Sequence, residues 1–214
     1  PFPEYGPPLT LAGGRSDANA LTEIENIGFV MSTSLRSLGF HINFAPVVDI
    51  WTEPENTSIG DRCFAKRAED VTLRAGAYLK GMLGAGLLGC LKHFPGQGHA
   101  GVDTHAGRAQ ISIDLATLEA RELKPFRDLV KEAPLVMISH AHYPCLDPDL
   151  PASLSRTIIQ DLLRLQLGFE GLVVSDDMNM KAIDQDQQAW SAAIVASVAA
   201  GSDLILVCRD VERY

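Results

Sequence analysis

Basic charge is scarce in this chain. Eighteen lysines and arginines stand against 27 acidic residues, a net charge of −9. Phosphate backbones and anionic membrane surfaces need clustered cations, so this balance argues against nucleic-acid and membrane partners. Long apolar runs are missing too: none approaches the ~20 residues that span a bilayer. No basic segment leads into a hydrophobic stretch, so no signal peptide is visible and the expected location is cytoplasmic. Cysteine is sparse, at positions 63, 90, 145 and 208, with no C-x-x-C pair, which removes zinc knuckles and thiol redox motifs. Cys90 and Cys208 sit in apolar runs, where a thiol behaves as a small hydrophobe. Internal repeats and low-complexity tracts are absent as well. What remains is one soluble globular domain of 214 residues with enough apolar content for its own core.

Five short runs are continuously apolar: 42–48, 86–91, 134–139, 171–175 and 203–208. Continuous rather than alternating hydrophobicity marks strands buried on both faces, as in a parallel sheet. Helical patterns lie before and between them, at 17–38, 69–83, 114–132, 156–167 and 187–200. Asp17 and Ser155 are start signals, and Gly39, Gly168 and Gly201 are stops. Such alternation predicts βα units and leaves two architectures, a doubly wound sheet and a (β/α)₈ barrel. Glycines 96, 98 and 101 satisfy G-x-G-x-x-G on paper, but no helix pattern opens behind them, so the dinucleotide reading fails in context. Polar residues follow nearly every strand: Asp49, then Lys92 and His93, then His140 and His142, then Asp176 and Asp177. Barrel enzymes build their sites at these strand ends. The fold class expected is therefore α/β, a TIM-type barrel. Five strands out of eight lead to the expectation of a single catalytic barrel domain over 1–214, N-terminally incomplete.

The segment "KHFPGQGHAGVDTHAG" (92–107) places three histidines six residues apart on a glycine-rich loop. Asp103 and His105 form Asp-x-His, in which a carboxylate orients an imidazole and raises its basicity, as a proton shuttle needs. In "SDDMNM" only one of the adjacent aspartates can face inward from an extended chain. Asp176 is then the candidate nucleophile or base, and Asp177 is expected to cap whatever helix follows. Lys92, His93 and Arg62 offer donors suited to hydroxyl-rich or anionic ligands. Histidines 93, 99, 105, 140 and 142 suggest a metal, but no H-E-x-x-H helix accompanies them. Asp49 stays unassigned.

These blocks resemble the β-N-acetylglucosaminidases of glycoside hydrolase family 3. "KHFPGQGHAGVDTH" is similar to the "KHFPGHG…DSH" signature of that group. "NFAPVVDI", "IGDRCF", "VMISHAHYP", "PASLS", "LLRLQLGFEGLVVSDDMNMKAI" and "AAGSDLILVC" resemble its other blocks, in the same order. The resemblance covers essentially the whole chain and implies a (β/α)₈ barrel that releases terminal β-linked GlcNAc with retention. Asp176 matches the nucleophile, His105 the acid/base and Asp103 its partner; Arg62, Lys92 and His93 match sugar-binding residues. It implies no metal or cofactor, and a small carbohydrate or muropeptide substrate of the GlcNAc-anhydro-muramic acid kind, in peptidoglycan recycling, by a monomer. There are departures. Gln97 replaces a histidine, "DRCFAKRAED" lacks the customary glycine and "DP", and the upstream "DQEGGR" block is not in the sequence. A non-catalytic sugar-binding barrel and a metal-dependent barrel hydrolase are the alternatives.

Overall fold

The computed structural model of the chain describes residues 4–100, 109–183 and 186–209. Helix α1 (Ala18–Ser37) opens on Asp17, whose carboxylate accepts the N–H groups of Asn19 and Ala20, and Gly39 ends it in the left-handed region. The cap satisfies orphan donors and the glycine turns the chain without Cβ strain. Strand β1 (Ile42–Asn43), helix α2 (Ala68–Gly84) and strand β2 (Leu88–Phe94) follow. Helix α3 (115–129) starts at Asp114, which accepts the Thr117 N–H, and its middle turn Leu118–Glu122 is π-wound. After β3 (Leu135–Ile138) comes α4 (Thr157–Gln166), π-wound throughout, then β4 (Leu172–Ser175) and α5 (Gln187–Ala200), which is capped by Asp186 and stopped by Gly201.

The four strands pair in parallel in their sequence order, β1-β2-β3-β4. Side chains alternate across the sheet. Leu91, Val136, Ile138 and Val173 enter the main core with Ile24, Leu79, Phe126 and Ile159 from the helices. Cys90, Leu135, Met137 and Val174 form a second cluster with Ile42, Phe44 and Leu206, and among the described residues no helix contributes to it. A doubly wound sheet reverses its strand order and carries helices on both faces. This one winds in a single direction with its helices on one face, so the doubly wound alternative is removed.

Two expected strands are shorter than their apolar runs. The run 42–48 pairs as a strand only at Ile42–Asn43, because Pro46 has no N–H to donate. Pairing returns as a bridge between Val47 and Lys92, where the Val48 N–H meets the Lys92 carbonyl at 2.8 Å. The run 203–208 makes one bridge, Val174 to Leu204. Beyond it the Met178 N–H still meets the Leu206 carbonyl, but side chains take the other positions: Ser175 Oγ accepts the Leu206 N–H and the Asp177 carboxylate accepts the Cys208 N–H. Cys208 is consequently exposed, against expectation, whereas Cys90 is buried and its thiol is pushed up to about 12 by that burial.

Helices α1 and α2 meet backbone to backbone at two glycines. A Cβ at Gly28 would lie 2.5 Å from the Tyr78 carbonyl oxygen, and one at Gly81 would overlap the Glu25 carbonyl. Alanine favours a helix over glycine by about 1 kcal/mol. Forcing a methyl into packed backbone costs about 1–3 kcal/mol. Gly81→Ala should therefore lower the urea midpoint; a raised midpoint would contradict this contact.

Candidate active site

The strand ends gather around a carboxylate that has no access to solvent. Asp49 follows the Val47–Lys92 bridge and is 0% exposed. Its Oδ1 accepts the backbone N–H groups of His93 at 3.1 Å and Gln97 at 2.6 Å, and its Oδ2 accepts from His93 Nδ1 at 2.6 Å. A buried carboxylate requires its lone pairs filled in this way. Gln97 extends the network: its carbonyl accepts from Asn56 Nδ2 at 2.8 Å and its side-chain oxygen accepts from Ser139 Oγ at 2.6 Å. Tyr143 donates its hydroxyl to the Gly96 carbonyl at 3.0 Å.

Lys92 and His93 were expected just beyond the second strand. They lie inside it, in the last turn of β2 before Phe94. Between Leu91 and Phe94 two residues of β2, Lys92 and His93, face one of β3, Met137. Such an irregularity re-aims side chains that would otherwise alternate. Both side chains act on Asp176 at the end of β4 and lower its pKa.

Asp176 is partly exposed. Its N–H donates to the Ile138 carbonyl at 3.1 Å, and its Oδ1 accepts the Asp177 N–H at 2.8 Å. Burial alone would push its pKa up, but His93, His140, the Asp177 N–H and Lys92 outweigh that and hold it below the usual carboxylate value. Lys92 is lowered, chiefly by burial and then by Arg62, with Asp176 opposing. Arg62, in the exposed turn Gly60–Arg62, donates to the Ser58 carbonyl at 2.6 Å. Together with Lys92 it lines a cavity of about 540 Å³ that also includes Tyr5, Phe44 and Tyr78.

His140 is buried 2.7 Å from Ser153 Oγ through Nδ1, and its Nε2 lies 3.2 Å from the Asp177 carbonyl. The carbonyl can only accept, so Nε2 carries the proton, and burial lowers the pKa of this ring. Strand β3 stops at Ile138; His140 and His142 lie in the loop beyond it and both line a second cavity, of about 620 Å³. Asp177 does not cap a helix. Its Oδ1 accepts the N–H groups of Asn179 and Cys208, and Asp186 caps α5 instead. His99 pairs with Thr52 Oγ1 at 2.9 Å. Among the described residues no group of three or more His, Cys, Asp or Glu is placed to hold a metal ion. No helix among them is long and apolar enough to cross a membrane.

Of the expected site residues, Asp176, Lys92, His93 and Arg62 converge here; Asp103 and His105 lie outside the described residues. Two members of the site were not expected in it, Asp49 and His140. The signal for each was its position, directly after an apolar run, as for Asp176.

The chain matches the family model "Glycosyl hydrolase family 3 N terminal domain" over residues 8–214. A beta-hexosaminidase of Pseudomonas aeruginosa (strain LESB58) is 36% identical over 192 residues, covering 90% of this chain and 57% of the relative. The chain thus spans little more than half the length of that protein. A family 3 β-N-acetylglucosaminidase from Paenibacillus sp. str. FPU-7 superposes with TM-score 0.87 at 35% identity, over 96% of this chain and 38% of that one. NagZ from Neisseria gonorrhoeae, solved with N-trifluoroacetyl-D-glucosamine, gives 0.83 at 34% identity, over 94% and 57%.

Beneath the turn at Gly96, the π-wound turn of α3 presents Glu122, buried and 2.7 Å from Arg121 Nε. A Cβ at Gly96 would lie 2.8 Å from the Glu122 Cβ, so the turn at Gly96 rests on this side chain. Burial raises the Glu122 pKa to about 7, against the pull of Arg121. The folded value lies above the unfolded one of about 4.3. The stability this group contributes is therefore complete below about pH 4 and is lost as pH rises through 7. Glu122→Gln should gain stability relative to the parent between about pH 5 and pH 8, by about 1–3 kcal/mol. Urea unfolding at both pH values checks this; a pH-independent difference would contradict it.

Proposed function

The chain belongs to glycosyl hydrolase family 3, and from that premise we propose that it forms the catalytic portion of a retaining β-N-acetylhexosaminidase. The observation that carries the reading is Asp176, a carboxylate held ionised at a strand end among Lys92, His93 and His140. The singly wound sheet is proposed as an arc of a (β/α)₈ barrel, with residues 1–214 as one catalytic domain.

In the proposed reaction a terminal β-linked N-acetylglucosamine is gripped through its hydroxyls by Arg62, Lys92 and His93. Asp176 attacks the anomeric carbon as His105 gives a proton to the departing glycosidic oxygen. A glycosyl-aspartate results, and the aglycone leaves as an alcohol. His105, now neutral, takes a proton from water, which attacks the same carbon and frees Asp176, with net retention. Asp103 orients His105 and stabilises its imidazolium, as the aspartate of a serine-protease triad does. Retaining enzymes usually pair two carboxyl groups; here the second role falls to an imidazole. Asp177 is engaged with Asn179 and Cys208, which speaks for a single attacking carboxylate over assistance from the substrate's acetamido group. Peptidoglycan fragments ending in GlcNAc-anhydro-muramic acid, used in the cytoplasm by a monomer without metal or cofactor, complete the proposal.

Hydrolysis of nitrophenyl β-GlcNAc beside nitrophenyl β-glucose tests the reading. Turnover should favour GlcNAc and survive EDTA. His105→Ala should lower kcat by about 10²–10⁴-fold on a substrate with a poor leaving group. Asp176→Asn should abolish turnover while retaining sugar binding. Sugar binding without turnover in the parent protein would mark a binding barrel, and loss of activity in EDTA would mark a metal enzyme.

A further inference from the structure

Asp49 is outside the reaction as drawn, yet its carboxylate has a more ordered set of donors than any other in the site. Two are backbone N–H groups, that of Gln97 on Oδ1 and that of His93 shared between Oδ1 and Oδ2 at 3.1 and 3.2 Å; the third is the His93 ring Nδ1 on Oδ2, at 2.6 Å. Holding the loop needs only the first two. The third is directed at a side chain that faces Asp176. We propose that Asp49 is a positioning residue: its buried carboxylate fixes the His93 ring with Nδ1–H turned toward itself, so that Nε2 alone meets the ligand. This assignment rests on the function proposed above.

The chemistry follows from what each atom can do. A carboxylate only accepts, so the nitrogen bonded to it must carry a proton. In its neutral form, a ring so oriented offers a lone pair at Nε2, an acceptor for a sugar hydroxyl. Lys92, its neighbour, is a donor only. One donor and one acceptor side by side suit adjacent hydroxyl groups on a hexose. The bond also fixes the plane of the ring, as the partners of functional histidines do elsewhere.

Asparagine at position 49 would break this logic while keeping the shape. Its single oxygen would be claimed by the N–H groups of His93 and Gln97. Its NH₂ would then face Nδ1 and favour the Nε2–H tautomer, turning the acceptor into a donor.

Two measurements on the protein test the assignment. In ¹⁵N spectra of the imidazoles, with His93 identified by loss of its signals in His93→Gln, the neutral parent ring should be protonated at Nδ1. In Asp49→Asn the proton should move to Nε2. In hydrolysis of nitrophenyl β-GlcNAc, Asp49→Asn should lower kcat/KM by about 10–100-fold in the parent, the effect of one misdirected charge-assisted hydrogen bond. In the His93→Gln background the same change should cost less than about 3-fold, since residues acting through one another are not additive. A neutral parent ring protonated at Nε2, or an equal loss in both backgrounds, would overturn the proposal and leave Asp49 as a loop anchor. If Asp49→Asn does not fold, the parent spectrum decides alone. If the parent cleaves neither glycoside, the enzyme reading fails, while the ring spectra still decide the role of Asp49.

Discussion

The carboxylate of Asp49 is buried and held by three N–H groups, two from the backbone and one from the His93 ring. Removing an unpaired charge from water costs several kcal/mol, so this arrangement persists only while all the donors stay in place. That requirement ties the end of the first apolar run to the end of β2 and to the turn at Gln97. From Gln97 the constraint passes to Ser139 beyond β3 and to Asn56. Asp176 is bound in turn to β3 through the Ile138 carbonyl. The site is therefore the edge of a sheet, knitted across its strands by side chains where the backbone ladder runs out.

A parallel sheet wound in one direction delivers all its strand ends to one side, and here its helices lie on one face. That geometry explains how a lysine, two histidines and an aspartate from three different strands share one neighbourhood. It also explains the electrostatics. Desolvation would drive Asp176 toward protonation, and the surrounding imidazoles, amide and ammonium reverse the outcome. The Lys92 pKa is lowered too, because burial penalises its charged form.

Much of this was legible in the sequence. The helices were marked by local chemistry, an aspartate at the start of α1 and glycines after α1 and α5, and local rules suffice to place them. Strands β2, β3 and β4 announced themselves as apolar runs. The two outer runs misled, because hydrophobicity reports burial and not pairing: Pro46 interrupts one ladder, and the side chains of Ser175 and Asp177 replace part of the other. Asp176, Lys92, His93 and Arg62 were recognisable by position and by resemblance. The position of Asp49 was legible but its role was not, since that depends on a partner 44 residues away. The same holds for Asp177, whose partner at Cys208 no local pattern predicts.

The central claim is that Asp176 forms a covalent bond to the sugar. The most direct measurement is to treat the protein with an N-acetylglucosaminyl fluoride that carries a second, rate-slowing fluorine. Intact mass and peptide mapping then locate the label. A single glycosyl adduct on the peptide containing Asp176, lost on long incubation as the enzyme turns it over, is the result expected. Inhibition without any adduct, or an adduct on another carboxylate, would contradict the account.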